Sequence, residues 1–257
     1  MGEAPRTACL DGIDVVILAG GLGTRIAGIL GDTPKIMAPI GGVPFLEYIL
    51  DWLADAGARS VILSLGHLAD KVVEYLKDCP ARDLSVDWVV ETRPLGTAGG
   101  LRQALPKVVS RLVLAMNGDS WTGIDLCAFV AAHRRSGAPV SMLCVEVEDT
   151  SRFGRVEIGG GGRVARFVEK NAAYPGAGFV NAGVYLFSPD GLDLLARSEG
   201  PQLERDFLQT LPAGTIHAYA ARAKFIDIGT PASLALALGV LGKRDGDRRH
   251  PPRKQAS

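Results

Sequence analysis

Short apolar runs alternate with amphipathic stretches through the first half of the chain. Val15–Leu18 is an apolar run bounded by turn signals and predicts a buried first strand. A helix is expected from about Pro44, where proline suits a first turn. Phe45, Ile49, Trp52 and Leu53 would form its apolar stripe. Val61–Leu65 predicts a second strand, Asp70–Leu76 a helix, and Val86–Val90 a third strand. A short helix after Gly99 and a strand over Leu112–Met116 repeat the unit. This β-α-β rhythm implies a parallel sheet with helices on both faces, in which ligands bind beyond the carboxyl ends of the strands. Gly20–Arg25, Glu91–Gly99 and Asn117–Asp119 all fall at such ends.

The second half alternates differently. Val140–Val147, Gly154–Ile158, Val164–Val168 and Gly183–Phe187 read as strands, with Gly159–Gly162 as a hairpin turn. They suggest antiparallel additions beside the parallel sheet. No linker or internal repeat divides the chain, so residues 13–242 are expected to form a single Rossmann-like α/β domain with a mixed, mainly parallel sheet. Residues 1–12 and 243–257 are expected to be disordered tails.

Bulk properties narrow the function classes. The 257 residues carry a formal net charge of zero, so no overall field draws the chain to nucleic acid or an anionic membrane. The dense charge run Lys243–Lys254 also holds Gly246, Pro251 and Pro252, and reads as a disordered basic tail. No secretory h-region or membrane span is evident, and a cytoplasmic location is expected. Cys9, Cys79, Cys127 and Cys144 are scattered without zinc-site spacing and read as free thiols of a reducing compartment. His67, His133, His217 and His250 show no ligand spacing and are expected to be surface or structural.

The loop after the first strand carries the strongest chemical signal. Leu18-Ala-Gly-Gly-Leu-Gly-Thr-Arg25 offers flexible backbone that can bring N–H groups against a ligand. Arg25 and Lys35 add fixed positive charge where a polyanion would sit. A dinucleotide fingerprint fails because Ile26 stands at its third glycine position, and a P-loop fails because no Gly-Lys-Ser/Thr occurs. A solvated glycine-rich turn is the bland alternative, and the two flanking cations favour a triphosphate cradle over it.

These residues, continued by Pro34-Lys-Ile-Met-Ala-Pro-Ile40, resemble the signature of the sugar-1-phosphate nucleotidyltransferases. Pro44-Phe-Leu-Glu-Tyr48, Pro94-Leu-Gly-Thr-Ala-Gly-Gly100, Asn117-Gly-Asp119, Phe167-Val-Glu-Lys170, Asn181-Ala-Gly183 and Phe225-Ile-Asp-Ile-Gly-Thr-Pro231 follow in the family's order. The subgroup they resemble is the D-glycero-α-D-manno-heptose 1-phosphate guanylyltransferases. The resemblance implies a GT-A-like domain in which a sugar-1-phosphate oxygen attacks the α-phosphorus of a nucleoside triphosphate, GTP favoured, releasing pyrophosphate. GDP-heptose would be the product, and a homo-oligomer is compatible with the pattern.

Roles follow position by position from that resemblance. Leu18, Ala19, Gly20, Gly21, Gly23 and Thr24 would cradle the nucleotide. Arg25 would clamp the β- and γ-phosphates, and Lys35 would sit on the α-phosphate or the departing pyrophosphate. Asp119 and Asp227 would hold Mg²⁺, a hard cation that takes few protein carboxylates. Glu91, Gly96 and Thr97 would meet the base. Because a carboxylate only accepts, Glu91 favours guanine, whose N1–H and N2–H₂ both donate. Gly154, Glu169, Lys170 and Asn181 would bind the sugar, with Lys170 on its phosphate. Taken alone, Asp119 and Asp227 also read as turn or cap aspartates, Glu169 and Lys170 as a solvated pair, and Asn181-Ala-Gly183 as a turn. Trp121 could border the sugar or pack its loop.

Three other activities stay open. They are mannose-1-phosphate guanylyltransfer, N-acetylmuramic acid 1-phosphate uridylyltransfer, and a non-catalytic nucleotide-sugar-binding regulatory subunit.

Overall fold

A computed structural model describes residues 8–77, 83–151, 153–168 and 176–242. Seven strands form the central sheet: β1 (Asp14–Ala19), β2 (Ser60–Leu65), β3 (Ser85–Val90), β4 (Val113–Asn117), β5 (Val140–Val147), β6 (Gly178–Phe187) and β7 (Ile216–Ala221). Their spatial order is β7-β5-β6-β4-β1-β2-β3. Only β6 runs against its neighbours β4 and β5; the other pairings are parallel.

Alternation along β1 divides the core. Val15 and Ile17 face one apolar cluster, and Val16 and Leu18 face the other. The first cluster receives Phe45, Ile49 and Leu53 of helix Phe45–Asp55 and Phe129 of helix Leu126–Ser136. The second receives Leu101 of helix Gly96–Ala104 and Leu195 of helix Pro189–Arg197. Helices therefore cover both faces, as the β-α-β rhythm predicts.

Three expectations are corrected. Val140–Val147 and Gly183–Phe187 pair antiparallel with each other, as expected, but they lie within the main sheet rather than beside it. Val140 through Val145 are all buried, which requires cover on both faces. The extension is the smaller ribbon of Arg155–Ile158 and Val164–Val168, joined through Gly160–Gly162.

Residues 8–12 are also packed rather than a loose tail. Leu10 is fully buried and its N–H donates to Ala56 O at 3.1 Å. The rest of the expected tails, 1–7 and 243–257, lies outside the described residues.

Cys9 and Cys127 are not free thiols. The fold brings the N-terminal segment against the first turn of helix Leu126–Ser136, placing their Cα atoms 5.3 Å apart in a disulfide. Cys144 is a buried free thiol, and Cys79 lies outside the described residues. No helix among the described residues is long and apolar enough to cross a membrane.

His133 is structural. Its Nδ1 lies 2.7 Å from Ser141 Oγ, which also lies 3.3 Å from His217 Nδ1. Burial, then His217 and Arg134, push the His133 imidazole down to about 4. Unfolded His133 binds a proton below about pH 6.5 and the folded form does not, so stability falls as pH drops through this window. Between neutral pH and about pH 4.5 the wild type should lose about 2–3 kcal/mol more than His133→Gln. Urea unfolding at both pH values checks it, and parallel losses would overturn it.

Candidate active site

Strand order reverses at β1, which has β2 on one side and β4 on the other. A crevice at the carboxyl ends of adjacent strands opens at such a switch point. The loops after β1, β3 and β4 meet there, and their contact is close. A Cβ on Gly20 would lie 2.5 Å from Glu91 Oε1, so a side chain there would displace that carboxylate from its position in the crevice. Glu91 Oε2 is fixed by the Leu95 N–H at 3.1 Å.

Two carboxylates and two cations converge beside this crevice. Lys35 Nζ bonds Asp119 Oδ2 at 2.6 Å. Asp227 comes from a distant stretch of sequence, and its position is set by a short antiparallel ribbon. Strand Phe225–Asp227 pairs with Ser120–Thr122, with Asp227 opposite Ser120. The Ile228 N–H donates to Asp119 O at 2.9 Å. Seen from Gly229, a Cβ would lie 3.4 Å from both Arg25 Nη2 and Lys35 Nζ and 2.5 Å from Asp227 Oδ1.

Burial, and then the Asp119 charge, raise the Asp227 carboxyl above the ordinary range; the Gly229 N–H, Lys35 and Arg25 oppose that shift. A fold that holds two carboxylates together in this way suits a bound cation. The donor set fits Mg²⁺, which takes one or two carboxylates plus water and phosphate oxygens. No group of three or more ligating side chains occurs among the described residues, so an all-protein cage for a softer metal is not present there.

A cavity of about 270 Å³ occupies the crevice. Leu18, Ala19, Gly20, Gly21, Lys35, Glu91, Gly96, Thr97 and Asp119, all among the residues that the resemblance assigns to the nucleotide, line it. Thr24 and Arg25 are not among its lining residues. Arg25 stands beside Asp227 instead, and Gly23 lines a small adjoining recess with Lys35 and His67. The helix expected after Gly99 begins at Gly96, which places Gly96 and Thr97 in its first turn. Gly96 has φ +71° and would otherwise drive a Cβ to 2.4 Å from Pro201 O.

Two buried polar atoms on this wall, Ser64 Oγ and Asn117 Oδ1, have no hydrogen-bond partner in the protein; Asn117 opens a segment already placed at a strand end, whereas Ser64 was missed. Both are groups that a bound ligand would satisfy. Ser64 carried a signal, since it is a lone polar residue within the apolar run Val61–Leu65.

A second cavity, of about 490 Å³, opens alongside and shares Gln202 with the first. Gly154 and Asn181, two of the residues that the resemblance assigns to the sugar, line it, while Glu169 and Lys170 lie outside the described residues. Asn181 lies inside β6 at a register shift, not in a turn. Glu204 and Arg155 on this wall had no legible signal. Trp121 packs on Trp52 with ring centroids 6.2 Å apart, so the packing alternative holds for it.

A profile described as nucleotidyl transferase matches residues 14–240. The chain belongs to the nucleotidyl transferase family. Among its relatives is D-glycero-alpha-D-manno-heptose 1-phosphate guanylyltransferase of Campylobacter jejuni, 32% identical over 85% of this chain and 96% of the relative. Mannose-1-phosphate guanylyltransferase of Mycobacterium tuberculosis is 33% identical over 85% of this chain, which spans only 62% of that longer relative. The crystal structure of HddC from Yersinia pseudotuberculosis complexed with GMP-PN superposes with a TM-score of 0.79. It shares 33% identity with this family member and covers 88% of this chain and 98% of its own.

Proposed function

We propose that the chain transfers GMP from GTP to a sugar 1-phosphate, with D-glycero-α-D-manno-heptose 1-phosphate as the favoured acceptor and GDP-heptose as product. The observation that carries this reading is the convergence of Asp119, Asp227, Lys35 and Arg25 at the crevice that also holds Glu91. The near-complete span of the heptose relative supports the acceptor.

A phosphate oxygen of the sugar 1-phosphate forms a new bond to the α-phosphorus of GTP. The bond from that phosphorus to the bridging oxygen breaks, and pyrophosphate leaves with the electron pair. The nucleophile is already anionic, so no covalent enzyme intermediate and no general base are required. The barrier is the approach of two anions, which positioning and fixed charge lower. Arg25 engages the outer phosphates bidentately, and Lys35 offsets charge at the α-phosphate and leaving group. Asp119 and Asp227 would hold Mg²⁺, which when bound supplies Lewis-acid stabilisation of the phosphoryl oxygens. Glu91, held by the Leu95 N–H, accepts from the two donors of the guanine edge. By family resemblance, Lys170 takes the sugar phosphate and Glu169 the sugar hydroxyls.

Mannose 1-phosphate is the second acceptor to weigh, because a mannose enzyme is an equally similar relative. A nucleoside triphosphate substrate suits a cytoplasmic location, although the Cys9–Cys127 bond is unusual for that compartment.

Pyrophosphate release from a panel of nucleoside triphosphates against heptose, mannose, glucose and N-acetylmuramic acid 1-phosphates tests the proposal. Turnover confined to UTP with N-acetylmuramic acid 1-phosphate would replace it, and nucleotide binding without any pyrophosphate release would favour a regulatory subunit. Glu91→Gln should lower the preference for GTP over UTP by about tenfold, as expected when one half-buried acceptor becomes a donor. An unchanged ratio would remove Glu91 from base selection.

A further inference from the structure

The wall between the two cavities is a short run with one rare feature. Leu203–Phe207 winds as a single π-helical turn, a conformation found mostly where side chains must be re-aimed at functional sites. It aims Glu204 at the second cavity.

Each hydrogen bond around this carboxylate has a fixed direction. Asn181 Oδ1 accepts the Gly183 N–H at 2.9 Å, which leaves its Nδ2 to donate to Tyr185 Oη at 2.7 Å. Tyr185 Oη therefore spends its own proton on Glu204 Oε1 at 3.0 Å. Burial, and then the Glu204 charge, push the Tyr185 phenol well above its ordinary value, so it remains a donor. On the other side Thr97 Oγ1 accepts the Leu203 N–H at 2.8 Å and gives its proton to Glu204 Oε2 at 3.3 Å. Both neighbours thus push protons toward Glu204. A carboxylate offers about four acceptor positions, and two remain for the cavity. Arg205 does not neutralise it, being paired with Asp206 at 2.6 Å.

We infer that Glu204 accepts a hydroxyl of the sugar and thereby selects acceptors bearing a free hydroxyl, rather than a carbonyl or carboxylate, at that ring position. This rests on the reading of the second cavity as the sugar site. Thr97 stands in the first cavity and bonds Glu204 in the second, so the hydroxyl reader is anchored to the nucleotide wall.

The test compares kcat/KM, with GTP as donor, for the better of α-D-mannose and D-glycero-α-D-manno-heptose 1-phosphate and for its monodeoxy ring analogues. Wild type should discriminate against one deoxy analogue by about 10²-fold, as sites built to bond a substrate hydroxyl do. Glu204→Gln should lose that ratio to within about threefold, chiefly through a raised KM for the hydroxylated sugar. Glu204→Asp, which keeps the charge but withdraws the oxygens, should do the same and serves if the glutamine variant fails to fold. A purely structural role would weaken all sugars alike and leave the ratio intact, which overturns the inference. Absence of turnover by the wild type on every sugar 1-phosphate would instead overturn the proposed function itself.

Discussion

Asp119→Asn should reduce pyrophosphate release by about 10²–10³-fold while leaving the melting temperature unchanged or slightly raised, the size of loss seen when one preorganised electrostatic group is removed from a reacting centre. The reason lies in what surrounds Asp119. Its carboxylate contributes to raising the Asp227 carboxyl, so the two acids repel one another in the isolated fold. Replacing one by a neutral isostere relieves that repulsion, while the amide oxygen can still accept from Lys35, now 2.6 Å from Asp119 Oδ2. Stability and activity therefore move in opposite senses, the signature of a group placed for function at the expense of the fold. The same variant should need more Mg²⁺ to reach half of its residual rate, since one of the proposed ligands has lost its charge. Turnover within about threefold of wild type, at any Mg²⁺ concentration, would remove Asp119 from the site; a collapsed melting temperature would make its role structural.

How much of this site could be read beforehand depended on sequence distance. The loop Gly20–Arg25 and Lys35 were legible because glycines and cations next to an apolar strand have a local meaning. The helix stripe of Phe45, Ile49 and Leu53 was legible for the same reason, since its periodicity is contained in a few turns. The meeting of Asp119 with Asp227 was not legible from either residue, because it is made by a three-residue ribbon between remote segments. Only the family resemblance paired them. Glu204 was hidden differently, as one charge among several in an amphipathic stretch whose π-helical turn has no propensity signal. Tyr185 looked like one more apolar-run aromatic, and its hydroxyl gained meaning only from Asn181 and Glu204. The antiparallel pairing of Val140–Val147 with Gly183–Phe187 was legible, but its place within the main sheet was not, because a buried strand reads alike in either setting.

The cysteines failed for the same reason of distance, and their consequence is large. Cys9 and Cys127 close a loop across a sequence separation of 118 residues. In the chain-entropy account a crosslink over about 100 residues stabilises by up to about 4.7 kcal/mol, although measured values run lower. Cys127→Ser should therefore cost about 3–4 kcal/mol and lower the melting temperature by about 10 °C. A reductant should lower the wild type's melting temperature similarly and leave the variant's unchanged. The loss would not stay at the surface. Cys127 lies in the first turn of helix Leu126–Ser136, where its N–H is bonded by the Asp125 cap at 2.8 Å. That cap follows directly on the ribbon that joins Ser120–Thr122 to the Asp227 strand. Loosening the helix start frees the ribbon, so reduced enzyme should also show a raised Mg²⁺ requirement below its melting transition. Both thiols reacting with an alkylating agent before reduction, together with identical melting curves with and without reductant, would show that the bond does not form. Alkylation only after reduction, with the Mg²⁺ requirement unmoved, would confine the disulfide to stability and uncouple it from the acid pair.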